Sequence, residues 1–420
     1  GGAGGEGRGW GLCGEGRQSG AGGVLRQVTA VAGEGGKIAI QQSAFELRIW
    51  AEQKAENAEG AVEAFAGFAI TEPGEVRMFE AARAVAMALR DAGEKHRASQ
   101  FLSDVASKFG GSERASESMV EVVYLELDQD NPDVANDALF TAHELTPGSA
   151  TVAEAAFFVG EAWFALREAQ KAVDAYQIAA DNPECVVGAE AKYKMGFTLL
   201  REGNIADAAI AFGRLVKEHQ KHALSGEGTF LYGECLFRLG RYDEAIEQFG
   251  ALRSNQPLHE VSAKNLFRLG MALFQVDRYE TADQILTELI TTHPDFGNMS
   301  EAELWRGRSL AALDKTRAAR QAFERVLSLD KGVLSARAHI GIGLLALNAE
   351  EVDDALSSFL KVSVLYGTEA EVSEALYYAG VCLEKQGDSD RAVQQYNEIL
   401  TRYPDGEWAS KAQERLQALR

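Results

Sequence analysis

Residues able to do chemistry are few and scattered. His219 and His222 lie three apart, close enough to share one helix face and offer two nitrogens to zinc, but no third ligand stands near them in the chain. The plainer reading of the same pair is a solvated helix end. The four cysteines, Cys13, Cys185, Cys235 and Cys382, form no C-x-x-C pair, so the common thiolate zinc motifs are absent. Gly33-Glu34-Gly35-Gly36-Lys37 has some of the glycines of a phosphate loop. Val31 and Ile38 occupy the places where that loop needs Gly and Ser or Thr, so a linker is the better reading. Cys13 follows Trp10-Gly11-Leu12 rather than the apolar run and small residue that precede a lipid-anchored cysteine. No serine elbow and no H-E-x-x-H occurs. The chain reads as non-enzymatic, with no metal and no cofactor expected.

Bulk properties narrow the class further. The 420 residues are 46% hydrophobic and 25% charged, as in folded globular chains. The formal net charge of −21 argues against nucleic acid or an anionic membrane as the main partner, because both demand clustered Lys and Arg. No apolar run approaches the ~18–20 residues that span a bilayer. Of residues 1–36, 15 are Gly, a composition that cannot bury enough surface to offset its ordering entropy, so a flexible segment is expected over 1–41.

From about residue 42 apolar residues recur at i, i+3, i+4 and i+7 in paired runs, the period of amphipathic helices. A longer period overlies this one. With Gly233 numbered position 8 of a repeat, the equivalent slots are Ile49, Ala86, Val123, Gly160, Gly196, Gly233, Gly270, Gly307, Gly343 and Gly380, each 36 or 37 residues from the next. Position 20 is then alanine throughout: Ala61, Ala98, Ala135, Ala172, Ala208, Ala245, Ala282, Ala319, Ala355 and Ala392. Position 24 is always large and apolar: Phe65, Leu102, Leu139, Tyr176, Phe212, Phe249, Leu286, Phe323, Phe359 and Tyr396. A two-helix period near 37 means a solenoid. Small residues at 8 and 20 are expected where the two helices of a hairpin cross, with position 24 filling the space beneath.

Other slots carry the punctuation. Position 15 is the turn, reading Gly93, Asp130, Gly203, Gly240, Asp277, Asp314 and Gly387 in seven repeats. Pro73, Pro147, Pro257, Pro294 and Pro404 end second helices, and no proline falls inside an expected helix. Capping boxes are expected at Thr151 with Glu154, Ser300 with Glu303, and Thr368 with Glu371. Cys235 and Cys382 share position 10, and are expected to be buried packing residues rather than a disulfide.

This pattern of a small residue at 8, Ala at 20, an aromatic at 24 and Pro at 32 resembles the tetratricopeptide repeat. The spacing, the aromatic just before glycine (Tyr193 before Gly196, Phe267 before Gly270) and the ending Tyr403-Pro404-Asp405-Gly406 are similar to repeats of bacterial envelope proteins, the Tol-Pal coordinator and the outer-membrane assembly lipoprotein. The resemblance implies an all-α right-handed superhelical solenoid. Ten hairpins are expected at 42–78, 79–115, 116–152, 153–188, 189–225, 226–262, 263–299, 300–335, 336–372 and 373–404, with a capping helix at 405–420.

In such a fold the first helix of each hairpin lines a groove through positions 2, 5, 9 and 12. Here the candidate partner-binding residues are Phe157, Phe164, Tyr193, Phe197, Phe230, Glu234, Phe237, Phe267, Phe274 and Tyr377. Position 2 adds Glu80, Glu117, Glu154, Glu190, Glu227, Glu301 and Glu374. An aromatic strip with an acidic edge suits a partner segment that is apolar and basic. The alternatives stay open that the aromatics pack first helices together and that the glutamates answer the helix dipole. Position 9 is never Asn and position 5 mostly apolar, unlike the family's clamp for a C-terminal carboxylate. The expected function is a protein-interaction scaffold, with a periplasmic or envelope setting favoured by the resemblance. The alternative is the interaction arm of a larger enzyme or signalling protein, and self-association through the terminal repeats is a further expectation.

Overall fold

A computed structural model describes Gln27, residues 38–254 and residues 262–419. The glycine-rich readings (the phosphate-loop comparison at Gly33–Lys37, Cys13 and the flexible leader) and Pro257 lie outside the described residues. The described residues form 21 α-helices and no strand. They divide into two compact units, residues 1–225 and 226–420.

The first unit holds α1 (Ile38–Lys54), α2 (Ala58–Ile70), α3 (Glu75–Asp91), α4 (Lys95–Lys108), α5 (Glu113–Leu127), α6 (Pro132–Leu145), α7 (Ala150–Ala165), α8 (Ala169–Asp181), α9 (Gly188–Arg201) and α10 (Ile205–Glu218). The second holds α11 (Ser225–Arg238), which opens at the boundary, α12 (Tyr242–Ser254), α13 (Ala263–Gln275), α14 (Tyr279–Thr292), α15 (Met299–Ala312), α16 (Thr316–Leu329), α17 (Val333–Asn348), α18 (Val352–Leu365), α19 (Glu369–Lys385), α20 (Ser389–Arg402) and α21 (Glu407–Ala418). Odd helices are the first of each hairpin and even helices the second. Within each unit successive helices pack side by side, which makes each an all-α repeat solenoid. α1 opens four residues before the helical period becomes legible, because Ile38 and Ile40 are exposed and leave no buried stripe to read.

The hairpin turn is identical in all ten repeats. Position 15 takes a positive φ at Gly93, Asp130, Gly203, Gly240, Asp277, Asp314 and Gly387, and also at Glu56, Arg167 and Glu350, where the sequence carries no turn former. The next residue then donates its backbone N–H to the carbonyl five residues back, at 2.8–3.0 Å from Asn57→Glu52 to Asp388→Leu383. This is the Schellman closure of a helix end. Its cost at three non-glycine, non-Asp sites shows that packing around the turn, not the turn residue, fixes the conformation.

The core repeats with the same regularity. All ten position-20 alanines are fully buried. Glycine at position 8 faces the ring of position 24 in its own hairpin: an added Cβ would stand 2.6 Å from Tyr176 at Gly160, 2.9 Å from Phe212 at Gly196, and 2.5 Å from Tyr396 at Gly380. The small residue at 8 therefore makes room chiefly for position 24, a sharper account than a bare helix crossing. Cys235 and Cys382 are free and buried, and burial pushes both thiols up to about 11. At the C-terminus α21 buries Ala409, Ala412 and Leu416 against the last hairpin, and Arg415 Nε reaches Glu384 Oε1 at 3.2 Å.

The expected capping boxes are corrected. The cap of α7 is Ser149, whose hydroxyl accepts from the N–H of Val152, so Thr151 and Glu154 already lie in the helix. α15 begins at Met299, and Glu303 is wholly buried between Arg306 and Arg325. Thr368 does occupy the cap of α19, but its hydroxyl makes no hydrogen bond among the described residues. Glu371 instead pairs with Arg337 on the neighbouring first helix at 2.8 Å. At Glu371 a contact between neighbouring first helices outcompetes the local one.

Candidate partner-binding face

The side chains expected to line a groove fall into three environments. At position 5 the rings lean on position 24 of the same hairpin. Phe157 lies 5.9 Å from Tyr176, Tyr193 6.0 Å from Phe212, Phe230 5.8 Å from Phe249, and Tyr377 5.9 Å from Tyr396. These rings are half-buried, with one edge reaching solvent. Phe267 is buried and meets Phe296 at 5.5 Å. At position 12, Phe237 packs on Tyr242 at 5.3 Å, and Phe274 on Tyr279 at 5.2 Å and Trp305 at 5.0 Å. Position 12 is thus used to tie a first helix to its own second helix or to the next repeat. Glu234 is buried and engaged, with Arg238 Nε at 3.0 Å and Arg268 Nε at 2.7 Å from its carboxylate.

Of the ten, Phe197 alone is exposed, and Phe164 beside it, at 6.4 Å, is half-buried. Arg201 stands 4.8 Å from the Phe164 ring, and Lys194 5.3 Å from it.

These two extend an apolar row on the first helices of the first unit. Trp50 on α1 is 53% exposed, Met87 on α3 43%, Tyr124 on α5 40%, Phe158 on α7 46% and Phe197 on α9 39%. Four of the five are position 9, and Phe158 at position 6 stands in for Glu161. That carboxylate is occupied by the hydroxyl of Tyr176 and by Lys194 at 2.9 Å. Two members of the row touch, the rings of Tyr124 and Phe158 meeting edge-on at 5.9 Å, and Met87 Sδ accepts from Gln53 Nε2 of α1 at 3.9 Å. Between α3 and α5 it opens into a cleft of about 520 Å³ lined by Arg83, Met87, Arg90, Glu121, Tyr124 and Asp128 among others. Burial raises the Tyr124 phenol above its ordinary value, with Glu154 adding to the rise.

In the second unit the same slot is closed. Glu234 and Met271 are buried, and Arg308, Leu344 and Val381 are half-buried. The sequence holds Trp50, Met87 and Tyr124 in one slot, but only solvent exposure, which depends on what neighbouring repeats bury, separates them from Met271 in the same slot.

Charge along the row is largely internal. Arg83 pairs with Glu121, Arg90 with Asp91 at 3.3 Å, and Lys95 with Asp128 at 2.6 Å. Glu80 and Glu154 make no hydrogen bond or ion pair among the described residues. The position-2 glutamates divide: Glu190, Glu227 and Glu301 sit in the first turn of their helices, where the dipole favours them, while Glu80, Glu117, Glu154 and Glu374 lie further in.

The histidine pair is engaged by a buried lysine. His219 Nε2 accepts from Lys192 Nζ at 3.2 Å, and His222 Nε2 lies 3.3 Å from Glu190. Among the described residues no group of three or more His, Cys, Asp or Glu is arranged to hold a metal ion. No helix among them is long and apolar enough to cross a membrane.

Comparison with known proteins finds a repeat family over part of the chain. A model described as tetratricopeptide repeat matches residues 193–260 and 304–364, and a second of the same description matches 264–295 and 374–406. No curated protein matches. Among solved structures, MamA from Desulfovibrio magneticus RS-1 is similar at 20% identity and a TM-score of 0.38, over 42% of this chain and 94% of that one. PilF of Pseudomonas aeruginosa is similar at 17% and 0.42, over 54% and 97%. A structure described as YrrB, a repeat protein with an unusual peptide-binding site, is similar at 22% and 0.34, over 44% and 90%.

Proposed function

We propose that this chain, whose residues 193–406 carry matches to tetratricopeptide repeat models, is a non-enzymatic scaffold that binds a segment of another protein along the first helices of residues 38–201. The observation that carries the reading is the run of exposed Trp50, Met87, Tyr124, Phe158 and Phe197. Large apolar side chains exposed singly are ordinary on a folded surface, whereas several presented by successive helices favour an interaction site. Phe164 and the exposed edges of Phe157 and Tyr193 extend it. The half-buried Phe230, Phe237, Phe274 and Tyr377 offer edges only, and Glu234 and Phe267 serve the packing of their own unit. Glu154, which pairs with no cation among the described residues, favours a partner segment that is apolar and basic. An envelope setting is part of the proposal, supported by the likeness of the 36–37-residue repeats to envelope proteins; cell fractionation tests it.

The scaffold reading is tested by crosslinking pull-down with mass spectrometry, comparing the wild type with a Met87→Ala, Tyr124→Ala, Phe158→Ala variant. Loss of the captured protein with unchanged helical circular dichroism supports the row. Equal capture by both proteins removes it.

A further inference from the structure

The row restricts the conformation of what lies in it, an argument that rests on the scaffold reading. Its members come from successive first helices, and packed helices stand about 8–10 Å apart. A ligand running across them must present one apolar group at each such step. A β-strand covers about 10 Å in three residues, but its side chains alternate, so residue i+3 points away. A polyproline II helix turns once every three residues and rises about 9 Å in doing so, returning i, i+3 and i+6 to one face. An α-helix covers about 10.5 Å in seven residues and also returns its side chains to one face.

The width of the row decides between the last two. An amphipathic helix presents a stripe at least about 100° wide, with i+3 and i+4 beside i and i+7. Between α3 and α5 the apolar track is one residue wide. At Met87 and Tyr124 it is flanked by the Arg83–Glu121 ion pair and by Arg90 and Asp128. A helix laid there would press its apolar flanks onto charged groups. A polyproline II ridge is narrow, and its backbone carbonyls have no internal partners. The Tyr124 hydroxyl forms no hydrogen bond among the described residues, and so is available to donate to such a carbonyl.

We infer that the Trp50–Met87–Tyr124–Phe158 row takes a polyproline II segment with an apolar residue, proline included, at every third position and Lys or Arg between, a cation facing Glu154. Aromatic-lined grooves suit this conformation because the ligand is ordered before it binds.

The test titrates the full chain with a fluorescent peptide of four tandem Pro-Pro-Lys triplets and reads anisotropy. Saturable binding is expected, weakened about ten-fold or more by Met87→Ala with Tyr124→Ala and a few-fold by Tyr124→Phe, which keeps the ring and removes the donor. It should also weaken with added salt, and a Pro-Pro-Glu peptide should not bind. No binding, or binding that ignores the Met87 and Tyr124 changes, overturns the inference. A control helix carrying Leu every seventh residue with Lys between separates the two claims. Should it bind through Met87 and Tyr124 while the triplet peptide does not, the polyproline inference falls and the scaffold reading stands.

Discussion

A Cβ placed on Gly233 would stand 2.6 Å from Cε1 of Phe249, closer than side-chain carbons approach. The two residues belong to opposite helices of one hairpin, and the same juxtaposition recurs from Gly160 with Tyr176 to Gly380 with Tyr396.

Gly233→Ala should therefore destabilise the second unit by about 1–3 kcal/mol despite alanine's better helix propensity. Adding Phe249→Leu should recover part of that loss, because Ala86 with Leu102 already forms this joint in the second repeat, with both side chains buried. Urea unfolding of the single and double variants measures it; a double variant less stable than the two losses summed would show that the joint is not the contact described.

Glu234 provides a second check, on a residue whose place in a groove the sequence suggested. Its buried carboxylate holds two arginines, Arg238 and Arg268. Glu234→Gln should lower stability by about 1–3 kcal/mol, the scale of a lost charge-assisted bond in a buried site. It should leave partner binding to the first unit unchanged. Denaturant melts alongside the peptide titration would settle it, and a binding loss without a stability loss would return Glu234 to the groove.

Acid should loosen the first unit around His219. Burial and the Lys192 ammonium, with His222 beside it, lower its pKa below the ordinary 6.5, while Glu218 and Glu190 oppose them. In the fold Nε2 accepts a bond from Lys192, which a proton on that nitrogen would abolish. A histidine depressed in the folded state binds its proton more readily when unfolded. Its stabilisation is therefore complete above pH 6.5 and is lost as pH falls below that value. Melting temperature should drop on moving from about pH 7.5 to about pH 5.5, and His219→Asn should flatten that part of the profile. An unchanged slope would contradict the assignment.

The repeat was legible in the sequence because its determinants are local and repeated ten times. Alanine at 20, a large residue at 24 and a turn at 15 are each read within one hairpin. The candidate site was less legible, because exposure is set between repeats. Phe267 and Phe197 look alike as residues, yet Phe296 helps bury the first while the second stays open. Likewise Thr368 with Glu371 has the spacing of a capping box, and Arg337, from the preceding repeat, takes the glutamate. Arg167 and Glu350 adopt the turn conformation of Gly240 with no local signal at all.

The central claim is that the partner lies on the first helices of the first unit. A photo-crosslinking residue placed at Tyr124, at Phe197 and, as a contrast, at Ile210 of the second helix α10, which is more open to solvent than either, tests it most directly. The account predicts that Tyr124 and Phe197 crosslink to one and the same polypeptide and that Ile210 does not. Crosslinking from Ile210 with none from Tyr124 would contradict it.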